Sequence, residues 1–269
     1  MRARGEMIGT YISLTFGIVG AIPVCVSAAY LVTRWRKVRR VLRFQPSGRV
    51  DLVLTTSHRQ LKSQGGKVAV VRHLAPEGDI LAIAAAAAAI SKNYRSKKIV
   101  THVSERVRGP LDDDLIILGS PVSNRYCADL LDRLSLVRSL DLELDIPNGD
   151  ISINRPGGSR FEVNGFDIRK GSDGLPRRDL LFIATATNPY NADRRAVICA
   201  GFTTYGTGAA GEILFTHILG EADSRCSELR RVIECDSSFL IIECGLEFGK
   251  LIHWEVLYRV DSDEEPGHQ

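Results

Sequence analysis

No two cysteines of this chain stand in a C-x-x-C arrangement. With Cys25 set aside in the apolar segment around it, Cys127, Cys199, Cys226, Cys235 and Cys244 form an odd set. That is poor material for a disulfide framework and suits a reducing compartment. Cys199 in "AVICAG" and Cys244 in "FLIIEC" read as small buried hydrophobes. The histidines, at 58, 73, 102, 217, 253 and 268, are too scattered for a zinc site, so no metal is expected. Catalytic signatures are missing as well: there is no G-x-S-x-G, no Walker A loop and no cysteine with an obvious histidine partner. No internal repeat is evident. The net positive charge has a local origin. Arg34, Arg36, Lys37, Arg39, Arg40 and Arg43 account for more than the whole net charge of +3, and the remainder is slightly acidic. This argues against a nucleic-acid-binding surface.

A further absence is informative. From Met7 to Thr33 there is no charged side chain. About 20 predominantly apolar residues in a helix span a bilayer, so residues 1–33 read as an N-terminal transmembrane anchor, with Pro23 placed to kink it. The basic juxtamembrane segment, 34–48, carries Trp35 and the six cations suited to anionic lipid headgroups. The positive-inside rule then places the N-terminus outside and the rest of the chain in the cytoplasm, a single-pass arrangement at the cell membrane. The competing reading is a cleaved signal peptide, for which "VSAA" offers small residues. Against it, the apolar run is long and "RWRKVRR" would resist export.

Residues 49–260 read as one α/β domain of Rossmann-like, three-layer type, with a largely parallel sheet and an antiparallel C-terminal strand pair. Strands are expected at "VDLVLTT" (50–56), "KVAVV" (67–71), "KKIVTHV" (97–103), "DLIIL" (114–118), "LLFIATA" (180–186) and "RAVICAG" (195–201). The last two, "SSFLIIEC" (237–244) and "KLIHWEVLYRV" (250–260), turn at "GLEFG". Pro76 with Glu77 and Asp79 opens a helix whose six consecutive alanines suit close packing on the sheet. Gly, Pro, Asn and Asp crowd residues 146–179, which predicts a hairpin or meander between two halves of the domain. The acidic tail, 261–269, reads as disordered.

Two strand–glycine–helix units are the candidate sites. In the first, Gly119 turns the chain after a strand, and Ser120, Ser123 and Asn124 either cap the next helix or, with its backbone amides, bind phosphate or carboxylate. In the second, Gly206, Gly208 and Gly211 spell G-x-G-x-x-G at a helix start, beside Gly201, Thr203, Thr204, Tyr205 and Thr207. Four residues, Phe202 to Tyr205, separate it from the strand, and no acid ends a second strand at the usual distance, so a standard NAD-dependent dehydrogenase is rejected. If the strands at 114–118 and 196–200 are neighbours, their loops share one sheet edge. Asn188 in "NPYN" would then wall a common crevice, as would "TTSH" (55–58). Asp112, Asp113 and Asp114 read as a solvated turn.

The layout resembles the broad Rossmann-like group that includes TIR domains and nucleotide-sensing modules of bacterial defence systems. More narrowly, "DLIILGSPVSN" with "NPYNADRRAVICAGFTTYGTGAA" resembles a bacterial domain found on membrane or signalling proteins, over residues 50–260. The resemblance implies a membrane-tethered module that binds a small anionic or nucleotide ligand and signals or recruits a protein partner without chemistry. No cofactor comes with it. A TIR-like reading implies instead an effector that hydrolyses a nucleotide or NAD, with Glu212 or Asp129 as the acid. "SNRYCADLL" departs from that pattern, giving Tyr126, Cys127 and Asp129 but no glutamate. A third reading is a purely structural interaction domain whose loops only cap helices.

Overall fold

The computed structural model describes residues 36, 38–55, 57–62, 68–74, 76–134, 137, 139–154, 160–220 and 224–262. The expected anchor at 1–33, Arg34, Trp35 and Lys37 of the basic segment, and the tail from 263 lie outside them. Among the described residues no helix is long and apolar enough to cross a membrane.

Twelve strands are present among these residues: β1 (Arg49–Leu54), β2 (Ser57–Lys62), β3 (Val68–Leu74), β4 (Lys98–Val103), β5 (Asp114–Leu118), β6 (Leu142–Asp145), β7 (Asp150–Ile153), β8 (Phe161–Val163), β9 (Arg178–Asn188), β10 (Asn191–Gly201), β11 (Ser238–Glu247) and β12 (Lys250–Asp261). The helices are α1 (Glu77–Asn93), α2 (Arg125–Leu131), α3 (Thr204–Glu212), which runs on into a π-helical stretch at Ile213–Ile218, and α4 (Ser224–Glu234). Seven strands form one sheet in the order β12-β11-β9-β10-β5-β1-β4. Pairing is parallel from β4 through β1 and β5 to β10, and antiparallel from β10 through β9 and β11 to β12. Five of the seven strands therefore run the same way, which agrees with the mixed, mostly parallel sheet that the alternating pattern predicts.

Two details differ from expectation. The segments at 180–186 and 195–201 are the arms of one long hairpin, β9–β10, so the antiparallel part of the sheet begins before the C-terminal pair. The segment at 67–71 does not join the main sheet; β3 pairs only with β2 in a separate hairpin between β1 and α1.

The two faces of the sheet are covered differently. Alternation sends Val50, Leu52, Ile116, Leu118, Val197 and Cys199 to one face, under Ala82, Ala86 and Ile90 of α1, Ala209 and Ala210 of α3, and Leu229 and Ile233 of α4. The other face takes Val53, Leu115, Ile117, Phe182, Ile198 and Phe239. Its cover is Tyr126, Cys127 and Leu130 of α2, with Ile151 and Ile153 of the small β6-β7-β8 sheet. The predicted meander is thus the outer layer of one face. Cys199 and Cys244 are fully buried, as their strand settings predict. Helix α4 is absent from the expectation above, although Cys226, Leu229, Val232 and Ile233 recur at helical spacing and are its buried apolar positions.

The chain enters at the edge where the parallel strands begin. Residues 38–42 form a helical turn that buries Val38, Val41 and Leu42. Arg39 Nε donates to the Asn93 carbonyl at the end of α1 (3.1 Å), and the Gln45 amide donates to Asp114 Oδ2 at the start of β5 (3.0 Å). Lys97 Nζ sits 2.6 Å from the same carboxylate with neither side chain exposed. Nearby, the buried Arg195 guanidinium reaches the carbonyls of Ile233 and Cys235 (3.3 and 2.6 Å), where it complements the C-terminal end of α4. Burial lowers its pKa to about 10.

Candidate functional site

At the opposite edge four parallel strands end side by side, and each runs straight into a small or polar residue: β4 into Ser104, β1 into Thr55, β5 into Gly119 and Ser120, and β10 at Gly201 into Phe202 and Thr203. The connection after β1 leads through the β2–β3 hairpin to α1 on one face, whereas that after β5 leads to α2 on the other. Diverging connections of this kind define the crevice where open α/β sheets bind ligands. The expected adjacency of the two glycine loops is observed: β5 and β10 pair in parallel, and the Gly119 amide donates to the Cys199 carbonyl (3.1 Å).

The first loop is a turn and a cap. Gly119 holds φ +103, a conformation that favours glycine, and a Cβ there would lie 2.5 Å from the Thr55 methyl. Asn124 is the N-cap of α2: its Oδ1 accepts from the Cys127 amide (3.1 Å), and its Nδ2 donates to the Leu118 carbonyl (2.8 Å). Both side-chain heteroatoms are engaged and the residue is fully buried. Ser120 and Ser123 share a hydroxyl contact of 3.1 Å, and the amides of Ser123 and Asn124 return to the Ser120 carbonyl.

The second loop spends its glycines on packing. A Cβ on Gly206 would stand 2.3 Å from Asp179 Oδ2, one on Gly208 3.1 Å from the Gly78 carbonyl oxygen, and one on Gly211 2.7 Å from the Ala82 Cβ. The G-x-G-x-x-G spacing therefore seats α3 on a buried carboxylate and on the small-residue face of α1. The alanine-rich helix covers the sheet as the sequence predicts and in addition presents Ala82 to α3. Thr203 is the N-cap, its Oγ1 accepting from the Gly206 amide (3.2 Å). Thr207 is buried, accepts from the Gly201 amide (3.2 Å) and donates to the Thr203 carbonyl (3.4 Å). Thr204 carries the carbonyl that Gly78 approaches, and the Tyr205 hydroxyl donates to Glu77 Oε2 (3.0 Å).

Asp179 anchors this loop. Its Oδ1 accepts from the Phe202 amide (3.1 Å), and its Oδ2 from the Thr203 amide (3.0 Å) and hydroxyl. Burial pushes its pKa up to about 6 against those hydrogen bonds. A carboxyl raised in the folded state binds its proton more tightly there than in the unfolded chain. Its contribution to stability is fully present below about pH 4 and is lost as pH rises through about 6. Melting curves of the parent and of Asp179→Asn at pH 4.5 and 6.5 check this. The parent is expected to lose about 2 kcal/mol relative to the variant across that interval. Equal slopes would show that the carboxyl ionises freely.

Asn188 requires a correction. The β9–β10 hairpin turns at the other end of the sheet, so "NPYN" cannot wall this crevice. Asn188 donates through Nδ2 to the carbonyls of Leu111 and Asp113 (2.9 and 2.8 Å) and accepts from the Tyr190 amide (3.0 Å); it fastens the hairpin to the approach of β5. Asp112 and Asp113 flank this fastening, while Asp114 is buried and ion-paired, so the expected solvated turn covers only part of the run. The acids weighed for catalysis do not converge either. Asp129 is exposed on α2, Cys127 is fully enclosed with its thiol pushed up by burial, and Glu212 lies 3.8 Å from His217.

The residues that do converge centre on Thr55. Its amide and hydroxyl both donate to Asp79 Oδ2, at 3.3 and 2.5 Å. An acid at the third position of a helix ordinarily reaches back to the N-cap amide. Here the N-cap is Pro76, which has no N–H, so the carboxylate turns to the end of β1. The register that pairs Leu54 with Val103 sets Ser104 next to Thr55 on one side, and Gly119 touches it on the other. Asp79 is 1 % exposed and Ser104 5 %. Asp79 Oδ1 and Ser104 Oγ have no hydrogen-bond partner among the described residues. Burial pushes the Asp79 carboxyl up, opposed only by the two Thr55 hydrogen bonds. Scans against protein-family models, curated proteins and solved structures find no match to the chain.

Proposed function

We propose that the chain is a membrane-tethered module whose α/β domain recognises a small polar ligand where β4, β1 and β5 end, and that occupancy signals or recruits without chemistry. One observation carries this reading: Thr55 holds Asp79, lies against Gly119 and is level with Ser104 in the β1–β4 register, and two buried side-chain oxygens there lack partners among the described residues. Leaving such groups unmatched costs about 1–3 kcal/mol each, and a ligand that pairs with them recovers that cost. Thermal melting of the full chain against a broad set of metabolites tests the proposal. A rise of several degrees with one class is expected, and no rise with any would overturn it.

The tether is supported by the uncharged Met7–Thr33 run and the six cations that follow it. Deleting residues 1–33 is expected to move the protein from the membrane pellet to the supernatant. An unchanged pellet fraction would remove the tether from the proposal. A protein partner is favoured as a second reading by the exposed side chains of Ile80, Leu81, Val122 and Phe248, all on elements that reach this same edge.

A further inference from the structure

We propose that the group recognised at this edge is cationic, an ammonium or guanidinium moiety seated on Asp79, and not the phosphate or carboxylate that glycine loops suggest. The inference rests on the ligand-binding reading above and narrows it to a chemical class.

The buried carboxylates of this domain make the case by comparison. Asp51 gives one oxygen to His102 (2.9 Å) and the other to Arg49 (3.1 Å). Asp114 takes the Arg195 amide on Oδ1 (2.9 Å), and the Gln45 amide (3.0 Å) and Lys97 (2.6 Å) on Oδ2. Asp179 is held on both oxygens by the loop at 202–203. Asp79 is as deeply buried as these, yet among the described residues only its Oδ2 is matched, by a neutral residue. Among the described residues no basic side chain contributes to its electrostatic surroundings. A buried carboxylate without a countercharge or a second hydrogen bond is costly, and an N–H-bearing cation supplies both. Ser104 Oγ, set beside Thr55, adds a neutral acceptor for a further N–H.

The same inventory disfavours an anion. The amides of Phe202, Thr203 and Gly206 are already donated to Asp179 and to the Thr203 hydroxyl. Gly206 leaves only enough room for the Asp179 carboxylate. The two helix starts that meet here, through the contact of Gly78 with Thr204, therefore carry their own buried acids.

The experiment is thermal melting of the full chain at pH 7.5 and matched ionic strength. The probes are ethanolamine, lysine and spermidine on one arm, and inorganic phosphate, ATP and NAD on the other. A bound amine at saturating concentration is expected to raise the melting temperature by about 5 °C, with no shift from the anions. Asp79→Asn, which keeps the shape and removes the charge, is expected to abolish the amine shift. Should that variant fail to fold, Thr55→Val keeps the carboxylate while removing a donor that lowers its proton affinity. The amine shift should then persist but set in at higher pH. Stabilisation by phosphate, ATP or NAD alone would overturn the cationic assignment while leaving a ligand site standing. An amine shift undiminished in Asp79→Asn, or one with unchanged pH dependence in Thr55→Val, would remove Asp79 from it. Silence on both arms would overturn the assignment together with the ligand reading beneath it.

Discussion

Gly78→Ala is expected to lower the melting temperature by about 10 °C, the largest effect of any single methyl group in this domain. A Cβ at that position would lie 1.6 Å from the Thr204 carbonyl oxygen and 2.8 Å from the Tyr205 amide nitrogen. Both are backbone atoms, so no side chain can swing aside, and the start of α1 must move away from the start of α3. Overpacking ordinarily costs about 1–3 kcal/mol, occasionally more, and a backbone-to-backbone collision belongs at the top of that range. In a domain of this size about 1 kcal/mol corresponds to roughly 2–4 °C. The other glycines grade the effect. Gly206→Ala (2.3 Å to Asp179) and Gly211→Ala (2.7 Å to Ala82) should cost less than Gly78→Ala, and Gly208→Ala (3.1 Å to Gly78) least. Melting curves of the four variants test the order. If Gly208→Ala and Gly211→Ala melted like the parent, α3 would not be seated on α1 as described, and its glycines would be free for another role.

Lys97→Met is expected to cost about 3–5 kcal/mol, because it removes the nearest countercharge of a fully buried carboxylate. Lys97 Nζ is 2.6 Å from Asp114 Oδ2, and it also donates to the carbonyls of Ser47 and Arg49 (3.3 and 3.1 Å). Asp114→Ala should cost at least as much, since the Gln45 and Arg195 amides would lose their acceptor together with Lys97. Denaturant titrations of both variants and of the double variant measure the coupling. The double variant is expected to lose well under the sum of the two single losses, because both single variants break the same ion pair. A loss below about 1 kcal/mol for Lys97→Met would mean that Arg194, 3.6 Å from the same carboxylate, supplies the countercharge.

Much of the architecture was legible because alternation and strand length survive in the local sequence. Leu115–Leu118 and Ala196–Ala200 are apolar runs that end at a glycine, Phe239–Ile242 is a third apolar run, and each lies in a buried strand. Sheet membership was less legible: nothing in "KVAVV" distinguishes a strand of the main sheet from one arm of a detached hairpin. The misplacement of Asn188 had a readable signal. The interval between Ala186 and Arg195 is too short for a parallel crossover, which takes a dozen residues or more, so a hairpin with its turn at the far edge was the only connection open.

The candidate site was legible as a place and not as a set of atoms. Adjacent strands at 114–118 and 196–200 were enough to bring Gly119 and Gly201 to one edge. Glycine spacing could not show whether the missing side chains make room for a ligand or for another helix, and at Gly208 and Gly211 the neighbour is α1. Asp79 was read as an acid suited to the first turn of a helix, which it is. Its contact with Thr55 crosses 24 positions of chain, and pairing at that distance leaves no periodic trace in the sequence.

The clamp on residues 38–45 has a directional consequence. The chain arrives where the parallel strands start, and Thr55, Asp79 and Ser104 stand where they finish, roughly 20 Å away for strands of this length. Under the proposed tether a bilayer would lie on the side where the strands start, and a solute would reach their far ends from bulk water. Docking would then be indifferent to bilayer thickness and headgroup composition, and the head of the molecule would not have to tilt to admit its guest.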